Sequence, residues 1–298
     1  MEITCLLDAQ AGLGESPVWS EVERVLYWVD IIAPSLHRFD PVTGGRREWK
    51  MPGTIGCAAL ADDGGLLVAL RGGIHHFSPR TERFRFIANP EGEIAGNRYN
   101  DGKTAPDGCF FVGTMDEATL SRPSAALYRL NPDGSTKRML DGLIVSNGLA
   151  WSADGKTMFH SDSKAQKLFC YDYKDGEIVN QHLIATPSEA DGRPDGGATD
   201  VDGVYWSAGI SAGVLNGYKV GEGRVRCFGL PCAAPTMPCF GGEDMRSLFI
   251  TSARHHVAAA RLQAFPLSGG LFCMRMEAPG VAIPAFPMAR LNLEDRTI

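Results

Sequence analysis

One short pattern, a polar turn followed by aromatic and β-branched residues, recurs six times along the 298 residues of this chain. Aligned on their turns, the copies place equivalent residues at Val22, Asp63, Asp107, Asp154, Asp202 and Asp244. Successive copies therefore lie 41 to 48 residues apart. Self-similarity at this spacing is typical of a repeat architecture, in which each copy forms the same supersecondary unit. An ordinary β-sandwich with Asp-Gly turns has no reason to keep one spacing six times.

Further turn sequences lie between the copies, at residues 40–44, 131–134 and 174–176. Two hairpins per repeat give four strands, and a four-stranded unit of about 45 residues has the size of a propeller blade. No long stretch shows an apolar period of 3.6 residues, which predicts few helices. We therefore expect an all-β fold, a six-bladed β-propeller, with residues 1–298 forming one domain.

Charge and cysteine distribution narrow the class of protein. The net charge of -6 is mixed in sign with no basic block, so nucleic acid is not an expected partner. Residues 1–8 lack a secretory pattern, and no apolar run is long enough to predict a membrane span. The eight cysteines are scattered without a Cys-x-x-Cys pair, which predicts reduced thiols in a cytoplasmic protein. We expect a monomer or weak homo-oligomer.

The position seven residues before each aligned turn predicts a metal site. Its occupants are Glu15, Gly56, Asn100, Asn147, Asp195 and Met237. In a propeller, rotation about the axis brings equivalent positions together, so four side-chain oxygens would meet at the hub. Two carboxylates held together repel each other unless a cation lies between them. Such oxygens suit Ca²⁺, Mg²⁺, Mn²⁺ or Fe²⁺, with Zn²⁺ also possible.

A simpler interpretation of the same residues stays open. Asn147-Gly148 and Asp195-Gly196 are turn dipeptides in their own right, and Glu15 follows a glycine in the manner of a solvated loop residue. The shared register of these positions favours the metal site.

Arg98 lies within a dense polar run, residues 97–103, next to the predicted hub. Its guanidinium presents a rigid fork of donors that suits the oxygens of a polyol. The alternative is a surface arginine paired with Glu91 or Glu93, which would stabilise little.

Several short motifs, in order along the chain, resemble the SMP-30/gluconolactonase/luciferin-regenerating-enzyme-like family. They lie at residues 14–19, 97–103, 113–115, 146–149, 194–196, 239–242, 251–254 and 269–272. The resemblance implies a six-bladed propeller that binds one divalent metal ion. It assigns the metal ligands to Glu15, Asn147 and Asp195, and the substrate contacts to Arg98 and Asn100.

One departure from the family pattern concerns substrate choice. Family members carry two acids after Gly-Thr-Met, and the second contacts substrate, whereas here Ala118 aligns with that second acid. Either Asp116 or Glu117 is the candidate replacement, and we expect Glu117 to contact substrate. The segment between residues 253 and 270 is similar to bacterial sugar lactonases of pentose pathways.

These residues together predict a metal-dependent hydrolase that opens an aldono-1,4- or 1,5-lactone, as gluconolactonase, xylonolactonase or arabinolactonase does. The metal would polarise the lactone carbonyl and lower the pKa of a bound water. Asp195 is the candidate general base, while Arg98 and Asn100 would orient the sugar. Two alternatives remain: a calcium-binding regulatory or scaffold propeller without catalysis, and an esterase that acts on non-sugar esters such as phosphotriesters.

Overall fold

Six antiparallel sheets of four strands are arranged as the blades of a β-propeller in the computed structural model, which describes residues 2–92 and 94–291. The predicted all-β, six-bladed fold is confirmed. Within the described residues, helical structure is confined to α1 (Ala259–Ala264) and a 3-10 helix at Met288–Arg290. No helix in this part of the chain is long and apolar enough to cross a membrane.

The strands follow one another in regular order. They are β1 (Ile3–Leu7), β2 (Gly14–Ser20), β3 (Val25–Asp30), β4 (Ser35–Phe39), β5 (Arg46–Lys50), β6 (Ile55–Leu60), β7 (Leu66–Leu70), β8 (Gly73–Ser78), β9 (Arg83–Ala88), β10 (Asn97–Thr104), β11 (Phe110–Asp116), β12 (Ala125–Leu130), β13 (Thr136–Leu143), β14 (Ser146–Trp151), β15 (Thr157–Asp162), β16 (Lys167–Lys174), β17 (Glu177–Ala185), β18 (Pro194–Thr199), β19 (Tyr205–Gly209), β20 (Val214–Lys219), β21 (Gly223–Gly229), β22 (Pro235–Gly241), β23 (Ser247–Ser252) and β24 (Leu271–Arg275). Blades 1 to 5 are β2–β5, β6–β9, β10–β13, β14–β17 and β18–β21.

The sixth blade joins the two ends of the chain. It consists of β22, β23, β24 and, as its outermost strand, β1. β1 pairs antiparallel with β24, with Ile3 opposite Met274 and Cys5 opposite Phe272. Because the first strand completes the last blade, backbone hydrogen bonds close the ring of blades.

Each innermost strand has a β-bulge at the same level of the propeller. The register shifts lie between residues 15 and 18, 55 and 57, 99 and 102, 147 and 150, 194 and 197, and 235 and 238. A bulge bends its strand and changes the direction of a side chain. All six aligned positions lie at or within these bulges, so the repeated irregularity sets where their side chains point.

Aromatic rings fill the spaces between neighbouring blades. Trp19 of β2 stacks on Phe249 of β23 with ring centroids 5.5 Å apart, and Phe159 of β15 stacks on Tyr205 of β19 at 4.8 Å. Such large buried rings contribute both apolar area and defined ring geometry. Neighbouring blades therefore pack against each other through buried rings.

The eight cysteines all lie in described residues and carry free thiols, five of them buried. Burial shields those five thiols from solvent.

His160 is a buried histidine next to the hub. Its burial predicts that the protein loses stability as the pH falls. Its side chain on β15 is 1% exposed, and Nε2 lies 2.8 Å from Ser146 Oγ. Burial lowers the pKa of His160 to about 4. The histidine of an unfolded chain titrates at about pH 6.5. Between that pH and the lower pKa of the folded protein, the unfolded chain therefore binds a proton at His160 that the folded protein does not. We expect the unfolding free energy to fall by about 3 kcal/mol as pH drops through that interval.

Urea unfolding at pH 7 and pH 4.5 measures this effect in matched variants. His160→Gln, which retains a polar partner for Ser146, is expected to lose this part of the pH dependence. His182→Gln, at an exposed position of β17, is expected to retain it. An identical pH dependence in the wild type and both variants would contradict the assignment to His160.

Candidate metal and substrate site

Asn147 and Asp195 meet directly at the hub. Both side chains are buried, and Asn147 Nδ2 donates a hydrogen bond to Asp195 Oδ1 at 2.5 Å. The same Nδ2 donates to Ser163 Oγ at 2.9 Å. With both amide hydrogens committed, Asn147 Oδ1 is the atom of this side chain that remains to bind a cation.

Glu15 approaches the same centre from β2. Its side chain is 8% exposed, and Oε2 accepts a hydrogen bond from the Ser16 amide at 3.0 Å. Ser16 has a φ of 48°, in the left-handed region, at the bulge of β2. The Ser16 hydroxyl also bonds to the Ala58 backbone of blade 2. Ser16 thus ties the Glu15 carboxylate to its own strand and links the bulge to blade 2.

The charges at the hub are consistent with a cation site. Burial first, and then the charges of Asp195 and Asp101, raise the pKa of Glu15 well above its usual range. Burial and the charge of Asp101 raise the pKa of Asp195 to about 7. Among the described residues, neither Glu15 nor Asp195 forms an ion pair within 4.0 Å. A divalent cation between the two carboxylates would remove their repulsion.

The donor set is small. Over residues 2–92 and 94–291, no three His, Cys, Asp or Glu side chains cluster as a metal site. The aligned positions instead offer the carboxylates of Glu15 and Asp195 and the amide oxygen of Asn147, all hard ligands. Of the other aligned positions, Gly56 has no side chain and Met237 is a buried apolar residue.

Asn100, the fourth polar residue of the aligned set, is bonded to its neighbours. Its Nδ2 donates to the Ser146 backbone oxygen at 3.0 Å, and its Oδ1 accepts from Arg98 Nη1 at 2.9 Å. Arg98 Nη1 also donates to the Tyr99 backbone oxygen at 2.8 Å. Arg98 and Asn100 therefore form one fixed polar unit, adjacent to Asn147 through Ser146.

Arg98 pairs with Glu117 and not with Glu91, the surface partner of the alternative interpretation. It is buried, and its Nε lies 3.4 Å from Glu117 Oε1. Glu91 instead accepts hydrogen bonds from Asn97 and Tyr128, so the alternative pairing with Glu91 is wrong. Glu93 lies outside the described residues.

Asp116 and Glu117, the two candidate replacements for the acid missing at Ala118, have different surroundings. Asp116 is fully buried and accepts hydrogen bonds from three nearby residues: Thr119, Ser121 and Arg122. These bonds, led by that of Arg122, hold the pKa of Asp116 well below its usual range. Glu117 is partly exposed and pairs with Arg98 and Arg71. Glu117 is thus the acid adjacent to the predicted substrate contacts.

Two buried charged residues at the hub were missed by the sequence interpretation. Asp101 accepts a hydrogen bond from the Leu149 amide at 2.9 Å, while its other oxygen is buried with no partner among the described residues. Lys103 Nζ donates to the Gly197 backbone oxygen at 2.6 Å. Burial raises the pKa of Asp101 and lowers that of Lys103. The sequence did offer a signal for these two residues, because both are charged and lie within the inner strand β10.

A cavity of about 560 Å³ opens next to the hub. Arg98 and Glu117 line it, together with Arg193, which immediately precedes β18 of blade 5. Two of the lining residues are close in sequence to the hub carboxylates: Leu13 precedes Glu15 by two positions, and Arg193 precedes Asp195 by two. His255, His256 and Arg261, from the segment between β23 and β24, form another part of the wall. A volume of this size suits a small molecule.

The structural class of this protein is a six-bladed propeller with carboxylate and amide oxygens at its hub. Comparison with known proteins identifies its family. A model of the SMP-30/Gluconolactonase/LRE-like region matches residues 13–254. A 6-deoxy-6-sulfogluconolactonase from Pseudomonas putida is 38% identical over 287 residues, 95% of this chain and 98% of that protein. Regucalcin from Gallus gallus is 33% identical over 297 residues, 97% and 99% of the two chains. The chain belongs to the SMP-30/gluconolactonase/LRE-like family, which confirms the resemblance.

A solved structure supports the fold independently. The calcium-binding protein regucalcin from Agrobacterium tumefaciens has a TM-score of 0.90 to this chain, at 24% identity. The match covers 95% of this chain and 96% of that one. The two chains therefore share the propeller over nearly their whole length.

Proposed function

We propose that the protein is a metal-dependent lactonase, which hydrolyses a sugar lactone to the aldonic acid. The observation that carries the proposal is the proximity of Glu15, Asn147 and Asp195 at the hub, where neither carboxylate forms an ion pair within 4.0 Å in the described part of the chain. The adjacent cavity, lined by Arg98 and Glu117, supplies room and polar partners for a small polyol. Membership of a family that includes a sugar lactonase gives further support.

Glu15, Asn147 and Asp195 would hold the divalent cation through their oxygens, and Ca²⁺, Mg²⁺, Mn²⁺, Fe²⁺ and Zn²⁺ all accept such ligands. When bound, the cation supplies Lewis acidity and lowers the pKa of a bound water. Three protein ligands leave coordination positions open, as catalytic metal sites require.

In this proposal Asp195 acts as the general base. Its carboxylate accepts a proton from the water whose oxygen forms the new bond to the lactone carbonyl carbon. The bond between that carbon and the ring oxygen then breaks, and the proton passes to the ring oxygen as it becomes a hydroxyl. Asp195 is thereby regenerated, and no covalent bond to the protein is needed.

Arg98, Asn100 and Glu117 would position the sugar. Because Arg98 is bonded to Asn100 and to the Tyr99 backbone, its remaining donors point from a fixed location. Glu117 offers acceptor oxygens for sugar hydroxyls at the same place. Fixed partners lower the entropic cost of reaching the reactive geometry.

Hydrolysis of aldonolactones before and after metal removal tests the proposal. We expect exhaustive chelation to lower turnover of glucono-1,5-lactone by at least about 100-fold, because Lewis-acid and water activation are both lost. Readdition of single divalent ions should restore it and rank the metals. Unchanged turnover after verified metal removal would contradict the metal's role.

A substrate panel separates the remaining alternatives. A sugar lactonase should prefer polyhydroxylated 1,4- and 1,5-lactones over phosphotriesters and simple esters. Preference for the non-sugar esters would favour the esterase. Metal binding without turnover of any of these compounds would favour a regulatory or scaffold propeller.

A further inference from the structure

Two arginines flank one side of the cavity. The backbone of Arg193 is fixed by the β19–β20 turn, because its amide donates to Ser211 Oγ at 2.9 Å and its carbonyl accepts from the Ile210 amide at 3.1 Å. Arg261 of α1 lies over the same turn, since a methyl group on Gly213 would be 3.2 Å from Arg261 Nη2. Both residues line the cavity. The turn at residues 210–213 thus brings the two side chains to one wall.

Neither guanidinium has an acidic partner. Among the described residues, the ion pairs of arginine include those of Arg98 and Arg71 with Glu117, but none of Arg193 or Arg261. Arg193 Nε is buried and lacks a hydrogen-bond partner within the described part of the chain. A buried donor without a partner is costly, and it is normally satisfied by a ligand or water.

The hub carboxylates do not account for both charges. Among the described residues, neither Arg193 nor Arg261 forms an ion pair within 4.0 Å with Glu15 or Asp195. If a divalent cation balances Glu15 and Asp195, as in the proposed function on which this inference rests, the wall formed by Arg193 and Arg261 keeps an excess of positive charge.

We propose that Arg193 and Arg261 bind a negatively charged tetrahedral group, a sulfonate or a phosphate, at the exocyclic end of a sugar lactone. The planar donor fork of arginine fits two oxygens of such a group and forms strong charge-assisted hydrogen bonds. His255 and His256, which line the same cavity, add N–H donors at its exposed edge. Arg98 and Glu117, on the blade 3 side, would contact the hydroxyls. The substrate class is therefore an acid-substituted aldonolactone.

The kinetic test compares glucono-1,5-lactone with its 6-phospho and 6-deoxy-6-sulfo analogues. We expect the wild type to show at least a tenfold higher kcat/KM for one of the charged lactones than for the neutral one. Arg261→Gln should reduce that preference by at least tenfold, and Arg261→Lys should restore part of it. Arg46→Gln, which removes an exposed arginine of β5 outside the cavity, should leave the preference unchanged. The rank of the two charged lactones assigns the group as phosphate or sulfonate.

Equilibrium binding separates failure of this inference from failure of the proposed function. Titration calorimetry with 6-phosphogluconate, 6-deoxy-6-sulfogluconate and gluconate needs no turnover. We expect at least one charged compound to bind at least tenfold more tightly than gluconate, with the difference lost in Arg261→Gln and reduced by salt. Absence of lactone hydrolysis with this binding pattern intact would overturn only the proposed function. Similar affinities for all three compounds, or a preference that survives in Arg261→Gln, would overturn the anion site.

Discussion

Asp195→Asn is expected to lower kcat/KM for sugar lactones by about 10³- to 10⁴-fold. The substitution removes the proposed general base, which alone typically contributes 10²–10⁴-fold, and it also removes one of two charged metal ligands. The amide is nearly isosteric and can still accept the hydrogen bond from Asn147. Steady-state kinetics over a range of metal concentrations measures the loss.

The fold should tolerate this change. Because the pKa of Asp195 is raised to about 7, the buried carboxylate is held at a cost that the neutral amide avoids. The metal-free variant should therefore unfold at the same urea concentration as the metal-free wild type, or at a higher one. Asp202→Asn, an exposed carboxylate of the same blade, is the matched control and should retain activity. Activity of Asp195→Asn within threefold of wild type would exclude Asp195 from the mechanism.

Gly56→Ala is expected to destabilise the protein by about 3 kcal/mol and to impair the site. A methyl group at Gly56 would lie 2.4 Å from the Tyr99 backbone oxygen and 2.5 Å from its carbonyl carbon, so β6 or β10 must move. Overpacking of this kind typically costs about 1–3 kcal/mol, and backbone offers little room to yield. Since Tyr99 lies between Arg98 and Asn100, a shift near 1 Å should also lower kcat/KM by about 100-fold.

Gly53→Ala is the matched control for this prediction. Apart from its two chain neighbours, no described residue has an atom within 4 Å of a methyl group at Gly53, which precedes β6 by two residues. Urea unfolding should show wild-type stability, or a small gain from the reduced freedom of the unfolded chain. Equal stability of the two variants would show that blades 2 and 3 are not in the close contact described.

The repeat could be predicted from the sequence because its signals are local. Each Asp-Gly turn defines its own hairpin, and the spacing of the turns defines the blade. The register of those turns also selected four polar positions in four different blades, and the family resemblance assigned three of them, Glu15, Asn147 and Asp195, as metal ligands. Rotation about the propeller axis converts equal positions in the repeats into proximity at the hub, so no contact information was needed.

The features that the sequence did not reveal depend on long-range packing. The addition of β1 to the sixth blade brings together residues more than 260 positions apart, as with Ile3 and Met274. The bulges of the inner strands leave no mark in composition, yet they set the direction of Glu15 and Asp195. The sequence could not decide whether Asp116 or Glu117 lies beside Arg98, because the answer depends on the hydrogen bonds that Asp116 accepts from its own loop.

The wall of the cavity that Arg193 and Arg261 form could also not be predicted from sequence patterns. Arg193 immediately precedes β18, Arg261 belongs to α1, and each in isolation resembles a solvated arginine. Only the fold shows that they lie over one turn and lack acidic partners in the described part of the chain.

The central claim is that three side chains from separate blades bind one cation. Titration calorimetry of the metal-free protein with Ca²⁺, Mn²⁺ and Zn²⁺ measures this directly and does not depend on activity. We expect one ion per chain for at least one of these metals, with binding weakened at least 100-fold in the double variant Glu15→Gln/Asp195→Asn. Wild-type affinity in the double variant, or no binding by the native chain, would contradict the account.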